Sequence, residues 1–160
     1  MRRNAGRTLL GALLTLGLAV SGTGMTEAQA ANVSSEDVTL TAVDVIYHTN
    51  NDDKDHNTKV FTTVRDNRGI EVATLDEHFG SDTWDDDEDD GPYGLRLTSP
   101  ATWASMKGGQ LVVRIEPDGR DTWKFNAQAT LFFSDGERRH AVARNHFLDQ
   151  NLRQIEIEII

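Results

Sequence analysis

The residues best suited to chemistry are acids, and they come in three short groups: Asp52, Asp53 and Asp55; the consecutive acids from Asp85 to Asp90; and Asp118 with Asp121. Two carboxylates about 4 Å apart repel by roughly 1 kcal/mol in water and by several times that near protein, so crowding them is costly without a counter-ion. A hard cation removes that cost. Calcium accepts a flexible shell of oxygen ligands, which Asp, Asn and the backbone carbonyls of loops supply, whereas magnesium demands a tighter octahedron and zinc favours His or Cys. The chain has no cysteine, and His48, His56, His78, His140 and His146 show no paired ligand spacing. Calcium is the expected ion, with Asp52, Asp53, Asp55, Asp85, Asp87, Asp118 and Asp121 as candidate ligands. A helix-loop-helix calcium loop is not the means. Asn51-x-Asp53-x-Asp55 has His56 in place of the turn glycine and Thr62 in place of the closing Glu, and Asp86-x-Glu88-x-Asp90-Gly91 closes on Leu97.

Catalytic motifs do not accompany these acids. There is no Gly-x-Ser-x-Gly, no His-Glu-x-x-His and no phosphate-cradling glycine loop. A pair of carboxylates can hydrolyse a glycoside, but in so acidic a chain some pair is always close, so that signal discriminates nothing. The expectation is a binding module and not an enzyme, with a small secreted hydrolase least favoured.

Strands must position the acids. Trp123, Phe125, Ala127, Ala129, Leu131 and Phe133 alternate with Lys124, Asn126, Gln128 and Thr130, the period of a strand with one buried face. Leu111, Val113 and Ile115 repeat the pattern, as do Ile155, Ile157 and Ile159. Turn chemistry at Pro117-Asp118-Gly119 and Asp135-Gly136 joins them. Further strands are predicted over residues 38–47, 59–65, 70–75 and 93–98, with a turn at Asp66 to Gly69, and no helix of ordinary length is expected. About eight closely spaced strands predict an all-β fold, an antiparallel β-sandwich. If successive strands alternate in direction, loops 48–58, 76–92, 117–121 and 145–153 share one end, and 66–69, 99–109 and 134–137 share the other. Fifteen acids fall in the first set and three in the second.

The start of the chain sets the expected compartment. Arg2, Arg3 and Arg7 precede a short apolar run from Thr8 to Val20, and Ala28-Gln29-Ala30 has the small residues of a cleavage site, so residues 1–30 are predicted to be a secretory signal peptide. The run is too short for a stable membrane span, and no later segment is apolar for long enough, so a soluble, secreted chain without a transmembrane segment is expected. Residues 31–37 are expected to be a loose N-terminus and 38–160 the sandwich domain. The whole chain carries a net charge of −10, which the basic leader only offsets. Such a surface repels nucleic acid, so no nucleic-acid partner is expected. With no disulfides, an exported domain must rely on its core or on a bound ion.

Several of these residues resemble the lipoxygenase-homology (PLAT) domain, and more loosely the calcium-dependent lipid-binding sandwiches of synaptotagmin type. The likeness spans roughly residues 38–133. It consists of Asn57-Thr58-Lys59-Val60 opening a strand, Phe79-Gly80-Ser81-Asp82-Thr83-Trp84 before an acidic loop, and Leu111 to Ile115 followed by Trp123 opening a later strand, with Asn57 and Lys59 standing where the family has Gly and Asp. The resemblance implies an eight-stranded sandwich, calcium, and a lipid surface or a protein as partner. Trp84 and Trp103 are candidate surface anchors for a membrane or a sugar, whereas Trp123 belongs to the core. The alternative reading is a carbohydrate-binding module, which shares the sandwich and the structural calcium.

Overall fold

The structure is a computed structural model that describes Ser34 and residues 38–160; the expected signal peptide and most of the expected loose N-terminus lie outside the described residues. Nine strands and one helical turn follow in order: β1 (Leu40–Thr49), β2 (Lys59–Arg65), β3 (Glu71–Thr74), β4 (Asp89–Gly94), β5 (Arg96–Leu97), α1 (Trp103–Met106), β6 (Gln110–Glu116), β7 (Trp123–Phe133), β8 (Arg138–Leu148) and β9 (Gln154–Glu158). The all-β expectation holds, with one strand more than about eight. The segment foreseen over 93–98 divides into β4 and β5, because the chain leaves one sheet for the other at the buried Leu95. The single turn α1 was not foreseen; Thr102 and Ser105 cap it reciprocally through their side chains.

One sheet has the order β4-β1-β7-β8 and the other β5-β3-β2-β6-β9, and every named pairing is antiparallel. The alternation in β7 is realised residue by residue: Trp123, Phe125, Ala127, Ala129, Leu131 and Phe133 are all buried. Val43, Val45 and Tyr47 of β1 join them, opposite Val60, Val64, Leu111, Val113 and Ile115 of the second sheet. At one edge the chain end ties the sheets together, with Ile160 N–H donating to His140 C=O (2.9 Å) and the reverse bond at 3.2 Å. Among the described residues no helix is long and apolar enough to cross a membrane.

At one end of the sandwich the connections cross between the sheets, and at the other only the passage from β4 to β5 at Leu95 does. Segments 50–58, 75–88, 117–122 and 149–153 each pass from one sheet to the other. The β2–β3 and β7–β8 turns stay within a sheet. At the β2–β3 turn, Asp66 is almost fully buried. It accepts from the N–H of Arg68 and of Ile70 (2.9 Å each) and from the Arg68 guanidinium (2.8 and 3.0 Å). Burial alone would raise this carboxyl, but those donors outweigh it and hold it below the usual carboxylate range. A carboxylate whose pKa is depressed by folding adds stability above its unfolded value of about 4, and the addition is lost as pH falls through the folded value. Asp66→Asn should therefore cost about 1–3 kcal/mol near neutral pH. The gap between the variant and the parent should close in acid, which urea titrations at several pH values will show; a pH-independent gap would mean that the charge is not what matters.

Candidate functional site

The four sheet-crossing segments must carry backbone polar groups over one end of an apolar core, and Lys54 satisfies several of them. Its side chain is fully buried. The ammonium donates to the carbonyl oxygens of Phe79 (2.8 Å), Thr58 (3.0 Å) and Asp55 (3.3 Å), and also to that of Asp82. The ammonium lies 5.4 Å from the centre of the Trp84 ring, and Lys54 and Trp84 also exchange backbone hydrogen bonds at 3.1 and 3.2 Å. Loss of water pulls the Lys54 pKa down, and the carboxylates of Asp82, Asp121, Asp90 and Asp55 work against that loss. The protein thus places its own cation among carbonyls of the kind a hard metal ion would use.

Around this centre the expected ligands separate. Asp121 is buried at 6% exposure, accepts from the Asp55 N–H (3.3 Å), and feels the charges of Asp55 and Asp53. Asp118 lies beside them, accepting from Asn57 Nδ2 (3.4 Å) while its N–H donates to Thr58 Oγ1 (3.0 Å). Asp52 is taken up by Lys124, at 3.3 Å. Asp85 and Asp87 are exposed on the segment before β4, where the Asp87 N–H donates to the carbonyls of Thr49 and Asn50. The segments carrying the candidates meet, as alternation required. Among the described residues, however, no group of three or more His, Asp or Glu side chains is placed to hold a metal ion.

Neither tryptophan is a free anchor. Trp84 is buried, at 3% exposure, stacked on Tyr47 (5.3 Å between ring centres) and packed on Phe79 (4.9 Å) and Trp123 (5.2 Å). Its pairing with Lys54 draws it inward despite its acidic neighbours. Trp103 is half-buried in α1, edge-on to Phe133 (4.8 Å) and covered by the Arg139 guanidinium 3.9 Å from its ring.

A concave feature lies elsewhere among the described residues, on the outer face of the sheet β4-β1-β7-β8. Inward Val45 and Tyr47 leave Ile46 and His48 outward; inward Ala127 and Ala129 leave Gln128; inward Ala141 and Ala143 leave Val142 and Arg144. Together they line a groove of about 450 Å³. Bulges mark both outer strands. On β8, Arg144 and Asn145 together oppose Asn126, with Asn145 in the left-handed region (φ 54°) and its N–H held by Asn126 Oδ1 (2.8 Å). On β4, the register against β1 shifts at Gly91, where φ is 114° and a Cβ would sit 2.8 Å from the Val45 carbonyl. Asn126 Nδ2 donates in turn to Asn50 Oδ1 (3.0 Å), and His48 Nδ1 lies 2.8 Å from Asp89 Oδ1. The floor is therefore a set of fixed planar polar groups. Gln128 and Arg144 make no side-chain hydrogen bond or ion pair among the described residues, and Ile46 and Val142 add exposed apolar surface.

Comparison with family models, with curated proteins and with solved structures finds no match to this chain. The likeness to lipoxygenase-homology domains rests on the sequence motifs alone.

Two features of the candidate sites escape a reading of acid clusters. Lys54 stands alone between Asp53 and Asp55, and its solitude in an acidic stretch was the available signal. The groove residues occupy the outward positions of alternating strands, where polarity reads as ordinary solvation. Lys54→Met keeps the stem and removes the charge, leaving the Thr58 and Asp82 carbonyls without the ammonium, the Asp55 and Phe79 carbonyls with only the N–H of Thr58 and of Asp82, and the neighbouring acids without their counter-charge. The loss should be roughly 3–5 kcal/mol, as for removal of one partner from a buried charge pair. Thermal unfolding measures it, and a melting temperature equal to the parent's would show that the ammonium holds nothing together.

Proposed function

We propose that this chain is an exported, non-catalytic β-sandwich module that binds a saccharide in the outer groove of the sheet β4-β1-β7-β8. The observation that carries this reading is the groove itself, whose planar amides and imidazole are fixed by one another and by a bulge before any ligand arrives. Saccharides present hydroxyls in fixed directions with patches of C–H surface between them. Gln128, Arg144 and the His48–Asp89 pair supply donors and acceptors for the hydroxyls, and Ile46 with Val142 supplies apolar contact. A preformed site spares the ligand the cost of ordering the protein. Tryptophan quenching is a poor reporter here, since Trp84 and Trp123 are buried and Trp103 lies under Arg139. Calorimetry or amide NMR against a panel of oligosaccharides is the suitable assay. Gln128→Ala with Val142→Asp, both at exposed positions, should weaken binding by about tenfold or more, the equivalent of roughly 1.4 kcal/mol, with the melting temperature unchanged. Binding that ignores this pair would place the site elsewhere.

A second reading is favoured by Asp121 and concerns calcium. Burial raises this carboxyl, and the charges of Asp55 and Asp53 add to the rise against hydrogen bonds from Thr58 and the Asp55 N–H. A calcium ion would relieve that repulsion once the segment carrying Asp53 and Asp55 closed on it, since as they stand these side chains form no group placed to hold a metal ion. The partner would then be the one the family resemblance implies, a lipid surface or a protein met through the acidic end. An ion that binds the folded state stabilises by about 2.7 kcal/mol at a hundredfold excess over Kd. Millimolar calcium should therefore raise the melting temperature relative to chelator, magnesium should do less, and Asp53→Asn with Asp55→Asn should abolish the difference. Equal melting temperatures in calcium and chelator would remove this reading.

A further inference from the structure

We infer that the saccharide taken by the outer groove is anionic and bears a carboxylate that pairs with Arg144; this rests on the groove reading above. The charge distribution supports it. From Arg138 to Leu148, strand β8 holds three arginines, two histidines and no acid, in a chain whose net charge is −10. Elsewhere Lys59, Arg65, Arg68, Arg96, Arg114 and Lys124 each meet a carboxylate, whereas Arg153 meets only the Gln150 carbonyl and Lys107 and Arg120, both away from the groove, meet no acid among the described residues. The arginines of β8 meet none either. Arg138 lies over the Phe132 ring at 4.9 Å and Arg139 over Trp103 at 3.9 Å, whereas Arg144 has neither a ring nor an acid among the described residues.

Its position adds to the argument. Arg144 is one of the two residues of the β8 bulge, and a bulge turns side chains away from the regular direction of the strand. The guanidinium is thereby presented at the groove. Its planar fork matches a carboxylate in a bidentate way that hydroxyls cannot match. The opposite wall has the other polarity, since Asp89 stands beside His48 and would repel a second carboxylate while accepting from hydroxyls. The groove therefore orients its ligand, with the acid group toward β8 and neutral hydroxyls toward β4.

The test uses the full chain in calorimetric titrations with a uronic-acid tetrasaccharide, its neutral hexose counterpart and a sulfated counterpart, each at low and at about 0.5 M salt, where surface charge is strongly screened. The uronic-acid ligand should bind about tenfold more tightly than the neutral one at low salt, the worth of a charged hydrogen-bonded pair. Arg144→Gln should erase that preference, lowering affinity for the uronic-acid sugar much more than for the neutral one, and Arg144→Lys should restore part of it. Arg153→Gln, which removes a cation bonded to the Gln150 carbonyl, should change nothing. Equal binding of neutral and uronic-acid sugars, or tighter binding of the sulfated one, would overturn the carboxylate assignment while sparing the groove. Binding of none of the three would overturn the groove reading with it.

Discussion

Four chain crossings meet at one end of the sandwich, and the Lys54 ammonium is the group on which two of them converge. A β-sandwich closes its sides with sheet hydrogen bonds, but a chain that moves between sheets has no ladder partner while it crosses. Its carbonyls need donors, and water is excluded where the crossing packs on the core. Lys54 answers with a single ammonium shared among segments 50–58 and 75–88. The aromatic packing beneath depends on the same contact. Trp84 is held against Lys54, packs on Tyr47 and Trp123, and through them reaches Phe125. Tyr47 in turn bonds Thr62 across the sandwich, with burial raising its hydroxyl pKa far above the usual tyrosine range.

The same lysine gives the acidic end a physical rationale apart from any metal. A buried ammonium is costly unless negative charge surrounds it, and Asp82, Asp121, Asp90 and Asp55 supply that charge. The surplus then falls on Asp90 and Asp121, the acids of this group whose pKa burial raises. One Oδ of Asp90 is buried without a hydrogen-bond partner, which places the residual strain on the strand that also forms the groove's far wall. The lysine satisfies the inner carbonyls and leaves the outer acids, Asp53 and Asp55 with Asp121, to repel one another.

The strands were legible in the sequence because period two is local: each inward residue of β7 can be identified from its neighbours alone. The meeting of the acidic segments was legible too, since it follows from strand direction without distances. Lys54 was not, because its burial depends on Phe79 and Asp82, which are remote in sequence. Trp84 failed for the same reason, its acidic neighbours suggesting solvent while a distant lysine drew it in. Acids are poor strand formers, yet Asp89 and Asp90 begin β4, an edge strand paired on one side with β1. The bulge at Arg144 and Asn145 has no glycine to announce it, and it depends on the amide of Asn126 across the strand pair.

The acidic end and the basic strand are consequences of one another in use. Field lines from the crowded carboxylates extend into solvent about 8–10 Å at physiological salt before screening removes them. A neutral ligand meets no such field. An anionic one is turned away from the loop end and finds low repulsion along β8, where Arg138 to Leu148 carries no acid. The outer face is therefore graded, negative at Asp89 and positive at Arg144, across the width of the four-stranded sheet. On the proposed reading, a gradient of that kind would orient an anionic ligand before contact, its charge toward β8 and its hydroxyls toward His48 and Asp89. The charge that suggests a cation site when counted along the sequence would then act, when placed on the fold, as the repulsive boundary of the groove.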